Sequence, residues 1–509
     1  MGRVSFIGAG PGDPRLLTLR GAELLAQADV VFYDEDVHEA ALELACDSAV
    51  KVRIARDSAP DSNIPDLVAR ARGGAHVVRL FYGDPFAFRG GAIELAGVRQ
   101  AHIEVEVVAG VIAPTAAAAY CGLALSRYED VTPSIALAVV NEAEELHDWR
   151  KLSLATDTLA LLTDIEQILE ITHTLTYYGR KPETPAALVR NVSLPSQQVV
   201  LDTLVGIRKH IPEFERAHIE KSMVLLIVGE SISGRDMLRW FDTRPLSGKR
   251  VLVTRTPAQA RQTSAMLRER GADPIVVPTI EVRPIEGRAP MVKAAHELGS
   301  YAWVAFTSEN GVHAFFDTLA QEGLDARAFA RSRVAVIGPG TAAALAEKGI
   351  TADIVAKEFR GEGLAKAMLT ELRASEQQGP KRVLIARAKE ARAALPDLLR
   401  EGGCEVDVVP VYETHPAKDV AGRLRELFTG PSKLDAVTFT SASTVHGFCD
   451  ALGDNAAELL KQSGAVVASI GPVTTEAAIA RGLEVQATAA AYTLEGLMAV
   501  LEGAFARTR

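Results

Sequence analysis

Hydroxyl-bearing turns recur in the carboxyl half of the chain at a constant spacing. Phe306-Thr-Ser-Glu-Asn-Gly-Val-His-Ala-Phe315 and Phe439-Thr-Ser-Ala-Ser-Thr-Val-His-Gly-Phe448 share the pattern F-T-S-x-x-x-V-H-x-F at an offset of 439 − 306 = 133. Ile337-Gly-Pro-Gly-Thr341 and Ile470-Gly-Pro-Val-Thr474 repeat at 470 − 337 = 133, and Lys249-Arg-Val-Leu-Val-Thr-Arg255 and Lys381-Arg-Val-Leu-Ile-Ala-Arg387 at 381 − 249 = 132. Matched landmarks in one order mean an internal duplication. At the Phe-Thr-Ser and Ile-Gly-Pro landmarks an apolar run of strand type closes on a turn that opens a helix. A helix start leaves backbone N–H groups unbonded, and such ends attract anions. Four of them, on two facing lobes, would suit a flexible polycarboxylate. The hydroxyls at these turns are Ser308, Thr341, Ser441 and Thr474, and for any one of them taken alone the plainer role of a helix cap is the first expectation. Arg255, Lys249 and Arg387 are candidate charge partners, while His313 and His446 read as structural.

In the amino half the candidate acid–base residue is Asp34. Val30-Val-Phe-Tyr33 is a buried-strand pattern that puts Asp34 at its carboxyl end, where open α/β sheets bind ligands. Before it, the strand pattern Val4 to Ile7 runs into Gly8-Ala-Gly10-Pro-Gly12-Asp13-Pro14, followed by helix spacing at Leu17, Gly21, Leu24, Leu25 and Ala28. Asp13 stands where a dinucleotide fingerprint needs its third glycine, so that motif is not met. The turn fits either a cofactor loop or tight-turn geometry alone. Two further loops, Phe81-Tyr-Gly83-Asp84-Pro85-Phe86-Ala-Phe88-Arg89-Gly90-Gly91 and Val108-Ala-Gly110-Val-Ile-Ala-Pro114, could converge with it on one nucleotide-sized ligand.

The elements that must hold these residues alternate strand and helix, an α/β pattern. At 509 residues the chain exceeds one core and suggests about three or four domains. Its 48% hydrophobic, 24% charged and 6% aromatic content is that of a globular α/β protein. A net charge of −10 argues against nucleic-acid binding but not against an anionic ligand, because local arginines can outweigh the global field. Cys46, Cys121, Cys404 and Cys449 show neither metal-ligand spacing nor the density of a disulfide framework. The start lacks a signal sequence and no apolar run approaches the roughly 20 residues that span a bilayer, so a reduced cytoplasmic protein is expected. Ser231 to Gly248 is punctuated like a linker, which gives domains at 1–230 and 248–509 with a linker at 231–247.

Residues 4 to about 230 resemble the tetrapyrrole methylase family, in particular its uroporphyrinogen-III C-methyltransferases. The resemblance rests on Gly8-Ala-Gly-Pro-Gly-Asp-Pro14, Ala28-Asp-Val-Val-Phe-Tyr-Asp34, Gly83-Asp-Pro-Phe86 and Thr184-Pro-Ala-Ala-Leu-Val189. It implies a two-subdomain α/β unit that uses S-adenosyl-L-methionine, held by Pro11, Tyr82, Gly83, Asp84, Ala87, Ile112 and Ala113. It also implies a homodimer formed through this unit. Asp34 would be the proton acceptor and Arg56 stands at the proton donor's position. Departures fall on several site positions. Tyr82 replaces a glycine, and Arg56 replaces a lysine and does not readily release a proton. Ser126-Arg127-Tyr128 replaces Thr-His-Arg, Leu162-Thr163-Asp164 stands near a Tyr-Met-Gly, and Val192 takes a glycine's place.

Residues 248 to about 503 resemble the uroporphyrinogen-III synthase family, through the Phe-Thr-Ser and Ile-Gly-Pro landmarks and Val411-Tyr-Glu-Thr414. The implied fold is two α/β lobes with parallel sheets, one of about 248–279 and 417–509 and an inserted one of about 285–411. Connector strands are expected near Thr279 to Pro284 and Tyr412 to Pro416, and the substrate hydroxymethylbilane lies between the lobes. The implied reaction expels the terminal hydroxyl and closes the ring with ring D inverted, without a cofactor. Tyr412 would protonate or hydrogen-bond the departing hydroxyl, and Ser308, Thr341, Ser441 and Thr474 would bind carboxylates. The geometric expectation is one cavity bordered by residues 306, 341, 412, 441 and 474.

The combined expectation is a bifunctional enzyme of tetrapyrrole biosynthesis that forms uroporphyrinogen III and C-methylates it towards precorrin-2, with no nucleic-acid or membrane partner. The alternatives are a synthase carrying a methylase-like module that binds or dimerises without turnover, and a two-lobed tetrapyrrole sensor without catalysis.

Overall fold

The strand patterns pair into four sheets in the computed structural model, which describes residues 2–87, 90–127, 133–140, 148–216, 223–374, 381–430 and 433–506. The chain divides into two compact units, Met1–Gly248 and Lys249–Arg509.

The amino unit opens with a parallel five-stranded sheet in the order Val50–Ile54, Val30–Asp34, His76–Phe81, Arg3–Gly8, Glu104–Val108. Its central strands are apolar on both faces because helices cover both. Ile7, Val31, Val78 and Leu80 pack with Leu24 and Leu25 on one side, while Val4, Phe6, Phe32 and Val77 pack with Leu67 and Val98 on the other. The next sheet, Ile135–Val140, Thr158–Thr163, Val224–Val228, Pro185–Arg190, Gln198–Thr203, is antiparallel except for its first pair.

The stretch read as a linker is folded against this unit instead. Ile232, Phe241 and Leu246 are buried. The Trp240 indole N–H donates to the Ala119 carbonyl at 2.8 Å, and Phe241 meets the Tyr120 ring edge-on at 4.9 Å. The Gly and Pro punctuation marks turns here, whereas the three apolar side chains decide the packing.

In the carboxyl unit the duplication becomes two lobes. One carries the parallel sheet Asp273–Val276, Arg250–Val253, Ala436–Phe439, Val466–Ser469, Ala487–Thr488. The other carries Ile280–Pro284, Cys404–Pro416, Lys381–Ala388, Trp303–Phe306, Arg333–Val336, Ile354–Val355, parallel except for its first pair. The 13-residue strand Cys404–Pro416 does two jobs. Its first part pairs with Lys381–Ala388 inside the lobe, and its last five residues, Tyr412 to Pro416, pair antiparallel with Ile280–Pro284 as the return crossing between lobes. Tyr412 therefore sits where the sheet becomes the crossing.

Candidate functional sites

The duplicated turns of the carboxyl unit all open helices. Ser308 caps Glu309–Gln321 by accepting from the Gly311 N–H at 3.0 Å, and Ser441 caps Ala442–Leu452 in a reciprocal box with Thr444. Gly338 and Gly471 precede Pro339–Glu347 and Pro472–Ala480, which begin on proline and have no side-chain cap. Proline has no N–H to satisfy and a preset helical φ, so it starts a helix without help. Thr341 and Thr474 are the third residues of those helices, each 4% exposed.

Ser308, Thr341, Tyr412, Ser441 and Thr474 line one cavity of about 470 Å³. Phe306, expected at its border, is fully buried in the core, and the next two residues, Thr307 and Ser308, form the wall. Strand alternation accounts for the shift, since the last strand residue points into the apolar layer. The serine hydroxyls are engaged as caps, which leaves the N–H groups of the uncapped helix starts as the stronger anion donors.

The Tyr412 hydroxyl lies 3.0 Å from Ser308 Oγ, and burial pushes the phenol above its usual range, so it stays protonated at neutral pH. Arg255 lines the same cavity. Arg387 lines an adjoining cavity of about 370 Å³ that shares Tyr412 and Ser441 with the first. Lys249 lies at the amino end of its strand, bonded to Asp435 at 2.9 Å, away from the cavity at the carboxyl ends. Wall residues outside the repeated motifs include Gln259, Phe359, Arg360 and Tyr492, and Glu309 stands at a variable position within one. Phe359 and Tyr492 meet edge-on across the lobes at 5.5 Å, and Arg360 pairs with Glu476 at 3.4 Å.

In the amino unit the three expected loops converge. Gly10 and Gly83 form an antiparallel bridge, both with left-handed φ of +77° and +71° that only glycine adopts without strain. Gly8 and Gly110 touch so closely that a Cβ on either would collide with the other loop's backbone. Asp84 fixes the arrangement: its Oδ1 accepts from the Phe86 and Ala87 N–H groups at 2.8 and 3.1 Å, and its Oδ2 from Gly110 N–H at 2.9 Å. Pro11 and Ala113 are buried, and Ile112 sits beside Gly83. The residues named for the cofactor thus share one loop cluster, with Asp84 acting as the tie between loops.

Asp34 and Arg56 line a cavity of about 300 Å³. Its wall includes a charged cluster, Asp34 with Arg79 and Glu94, that sequence reading missed. Arg79 bonds Asp34 Oδ1 at 2.7 Å and Glu94 at 2.9 and 3.1 Å, and stacks over Phe81 at 3.9 Å. All three charged residues are buried, Glu94 to 1% exposure. Burial raises the Glu94 pKa, against the pull of Arg79. The Tyr82 N–H donates to Asp34 Oδ2 at 2.9 Å, so both carboxylate oxygens are engaged. An arginine inside the otherwise apolar run Val77-Val-Arg-Leu-Phe81 was the available signal, since a buried strand does not carry an unpaired charge. Arg56 pairs with Asp36 and, at 3.2 Å, with Asp164. Burial lowers its pKa, but these carboxylates outweigh it and the net shift is upward.

The amino half, residues 3–207, matches the family Tetrapyrrole (Corrin/Porphyrin) Methylases, and residues 261–499 match Uroporphyrinogen-III synthase HemD. A Ruminiclostridium josui protein, Porphyrin biosynthesis protein HemD, is 32% identical over 489 residues, 94% of this chain and 93% of its own length. The chain belongs to this family, a tetrapyrrole methylase fused ahead of a uroporphyrinogen-III synthase. It is an enzyme of tetrapyrrole biosynthesis with a methyltransferase unit and a synthase unit. The siroheme synthase of Tolumonas auensis is 35% identical over 260 residues, which is 50% of this chain and 54% of that protein, so the chain spans about half the length of that relative. Among solved structures, the methylase half is similar to uroporphyrin III C-methyl transferase from Thermus thermophilus (32% identity, 45% of this chain and 93% of that one, TM-score 0.38). A mutant uroporphyrinogen III synthase, also from Thermus thermophilus, is similar at 20% identity, over 51% of this chain and 99% of that one, TM-score 0.38.

Proposed function

We propose that the synthase unit cyclises hydroxymethylbilane to uroporphyrinogen III with ring D inverted, and that the methylase unit then C-methylates this product towards precorrin-2. The observation that carries the first step is the single cavity at which four helix starts and the neutral Tyr412 phenol meet. Helix starts receive carboxylate side arms and hold an open-chain substrate in a folded shape. Closure then wins over spontaneous cyclisation by positioning rather than by a reactive group. Tyr412 donates its proton to the departing hydroxyl, and Ser308 Oγ, at 3.0 Å, orients the phenol.

In the methylase unit the niche suits S-adenosyl-L-methionine: three loops meet at close-packed glycines, the Gly10–Gly83 bridge joining two of them and Asp84 tying in the third at Gly110. Pro11, Tyr82, Gly83, Ala87, Ile112 and Ala113 would hold it. When bound there it supplies an electrophilic methyl group. Asp34, bonded to Arg79 and to the Tyr82 N–H, accepts the proton that the methylated macrocycle must lose. Methyl transfer to a fully substituted ring carbon leaves the macrocycle with one proton in excess, and a carboxylate within reach can take it. Arg56, tied to Asp36 and Asp164, serves as a fixed cation for a substrate carboxylate and not as a proton donor.

A second reading is favoured by Tyr82 at a glycine position: the amino unit binds the cofactor and does not turn it over. Incubation with hydroxymethylbilane and S-adenosyl-L-methionine separates the two. Mass gains of one and two methyl groups on the macrocycle are expected, and an unmethylated macrocycle leaves only the second reading.

A further inference from the structure

Arg255 is 8% exposed at the wall of the synthase cleft, yet its charge is poorly matched. Its two bonds, to Glu309 Oε2 and Thr263 Oγ1, are both 3.4 Å long, and its Nε is buried without a partner. Ion-paired N–H···O bonds are usually about 2.7–2.9 Å, as between Arg79 and Glu94 at 2.9 Å. Burial lowers the Arg255 pKa, with Glu309 opposing it.

Glu309 is the first residue of helix Glu309–Gln321 and reaches the next helix start, where a Cβ on Gly340 would collide with its Oε1. Its Oε2 also accepts from Gln259 Nε2 at 3.2 Å, joining the two lobes. A carboxylate thus rests among the groups suited to bind one. At the matching place in the duplication stands Ala442, since 309 + 133 = 442, and the matching Arg387 is held by the carbonyls of Ala391 and Arg392 at 2.8 Å. Arg387 Nε is likewise buried without a partner, but the carboxylate beside the guanidinium is not repeated at the duplicated position.

We propose that Arg255 and the helix start at Gly340 form a carboxylate subsite of the synthase cleft, occupied by the chain's own Glu309 until a substrate carboxylate displaces it. The proposal rests on the cyclisation reading above. A polycarboxylate entering the cleft is repelled by Glu309 and attracted by Arg255, so exchange of one carboxylate for another relieves both. Glu309 is a placeholder that keeps a buried guanidinium paired in the free enzyme, and its displacement reduces apparent affinity.

The test uses the full chain with Glu309→Gln, Arg255→Gln, Arg255→Lys and the Glu309→Gln/Arg255→Gln double variant. Uroporphyrin III is the binding probe, read by fluorescence, and hydroxymethylbilane the substrate. Glu309→Gln is expected to bind uroporphyrin roughly fivefold tighter and to lower KM similarly, with kcat within about twofold. Arg255→Gln is expected to weaken binding about tenfold, a loss near that of one charge-assisted bond. Arg255→Lys is expected to recover part of it. In the double variant the gain from Glu309→Gln disappears. A gain that persists in full without Arg255 shows only a long-range charge effect and overturns the proposal, as does a lower kcat with unchanged binding in Glu309→Gln. Wild-type protein that bound uroporphyrin as described but yielded only the type I isomer would refute the cyclisation reading instead.

Discussion

Replacing Arg79 with methionine tests how the methylase site is held. The guanidinium is the shared partner of Asp34 and Glu94, 6% and 1% exposed, and removing it leaves two buried carboxylates with residual hydrogen bonds only. Breaking a buried pair on one side costs about 3–5 kcal/mol. For a 248-residue unit, at about 2–4 °C per kcal/mol, the amino unit's melting temperature should fall by roughly 6–20 °C. The sign of the pH dependence follows from Glu94, whose pKa burial already raises. Between its unfolded and folded values the native state binds the extra proton, so stability falls as pH rises through that window. Without Arg79 the upper edge of that window rises, because the lowering pull on folded Glu94 is gone. Lowering the pH should then restore about 1.4 kcal/mol per pH unit wherever folded Glu94 holds a proton that the unfolded chain has lost. Calorimetry of the full chain reads this directly, and adding Glu94→Gln to Arg79→Met should recover most of the loss and flatten the slope. A deficit under about 1 kcal/mol, or one that ignores pH, refutes the reasoning.

In the synthase cleft, Tyr412→Phe should lower kcat by about 10²-fold as loss of general-acid help, while costing only about 1 kcal/mol of stability, because Ser308 keeps its cap bond to Gly311. A rate within about twofold of wild type removes Tyr412 from the mechanism. Because burial raises the Tyr412 pKa, the synthase rate should not decline through the ordinary tyrosine range near pH 10 in stopped-flow assays, and a decline there contradicts a buried neutral donor. S-adenosyl-L-methionine at about 100 times its Kd should stabilise the amino unit by about 2.7 kcal/mol, seen as a shift of its transition alone. Asp84→Asn, which keeps the shape but weakens three N–H bonds, should abolish most of that shift.

Much of this architecture is legible in the residues. The offset of 133 places Ser308 against Ser441 and Thr341 against Thr474, and strand-turn-helix chemistry sets each pair at the carboxyl edge of its own sheet, where all four line one cavity. Local pattern predicts which residues stand at helix starts but not which group a capped serine spends its hydroxyl on, and here Ser441 is committed to Thr444. Phe306 lies in the core rather than at the cavity border because strand alternation acts on one-residue steps. The Arg79–Glu94 pair escaped notice because its members are 15 residues apart on a strand and a helix, a contact set by packing. Residues 231–247 show the same limit: glycine and proline mark turns, but Trp240 and Phe241 find Ala119 and Tyr120 only in the folded unit. Tyr128, in the stretch that departs from the methylase pattern, lies outside the described residues.

Isomer analysis of the product formed from hydroxymethylbilane alone tests the central claim most directly. If helix starts around one cleft fold the open chain for inverted closure, chromatography of the oxidised product gives the type III isomer in large excess over the spontaneous type I. Type I product in the proportion formed without protein contradicts it.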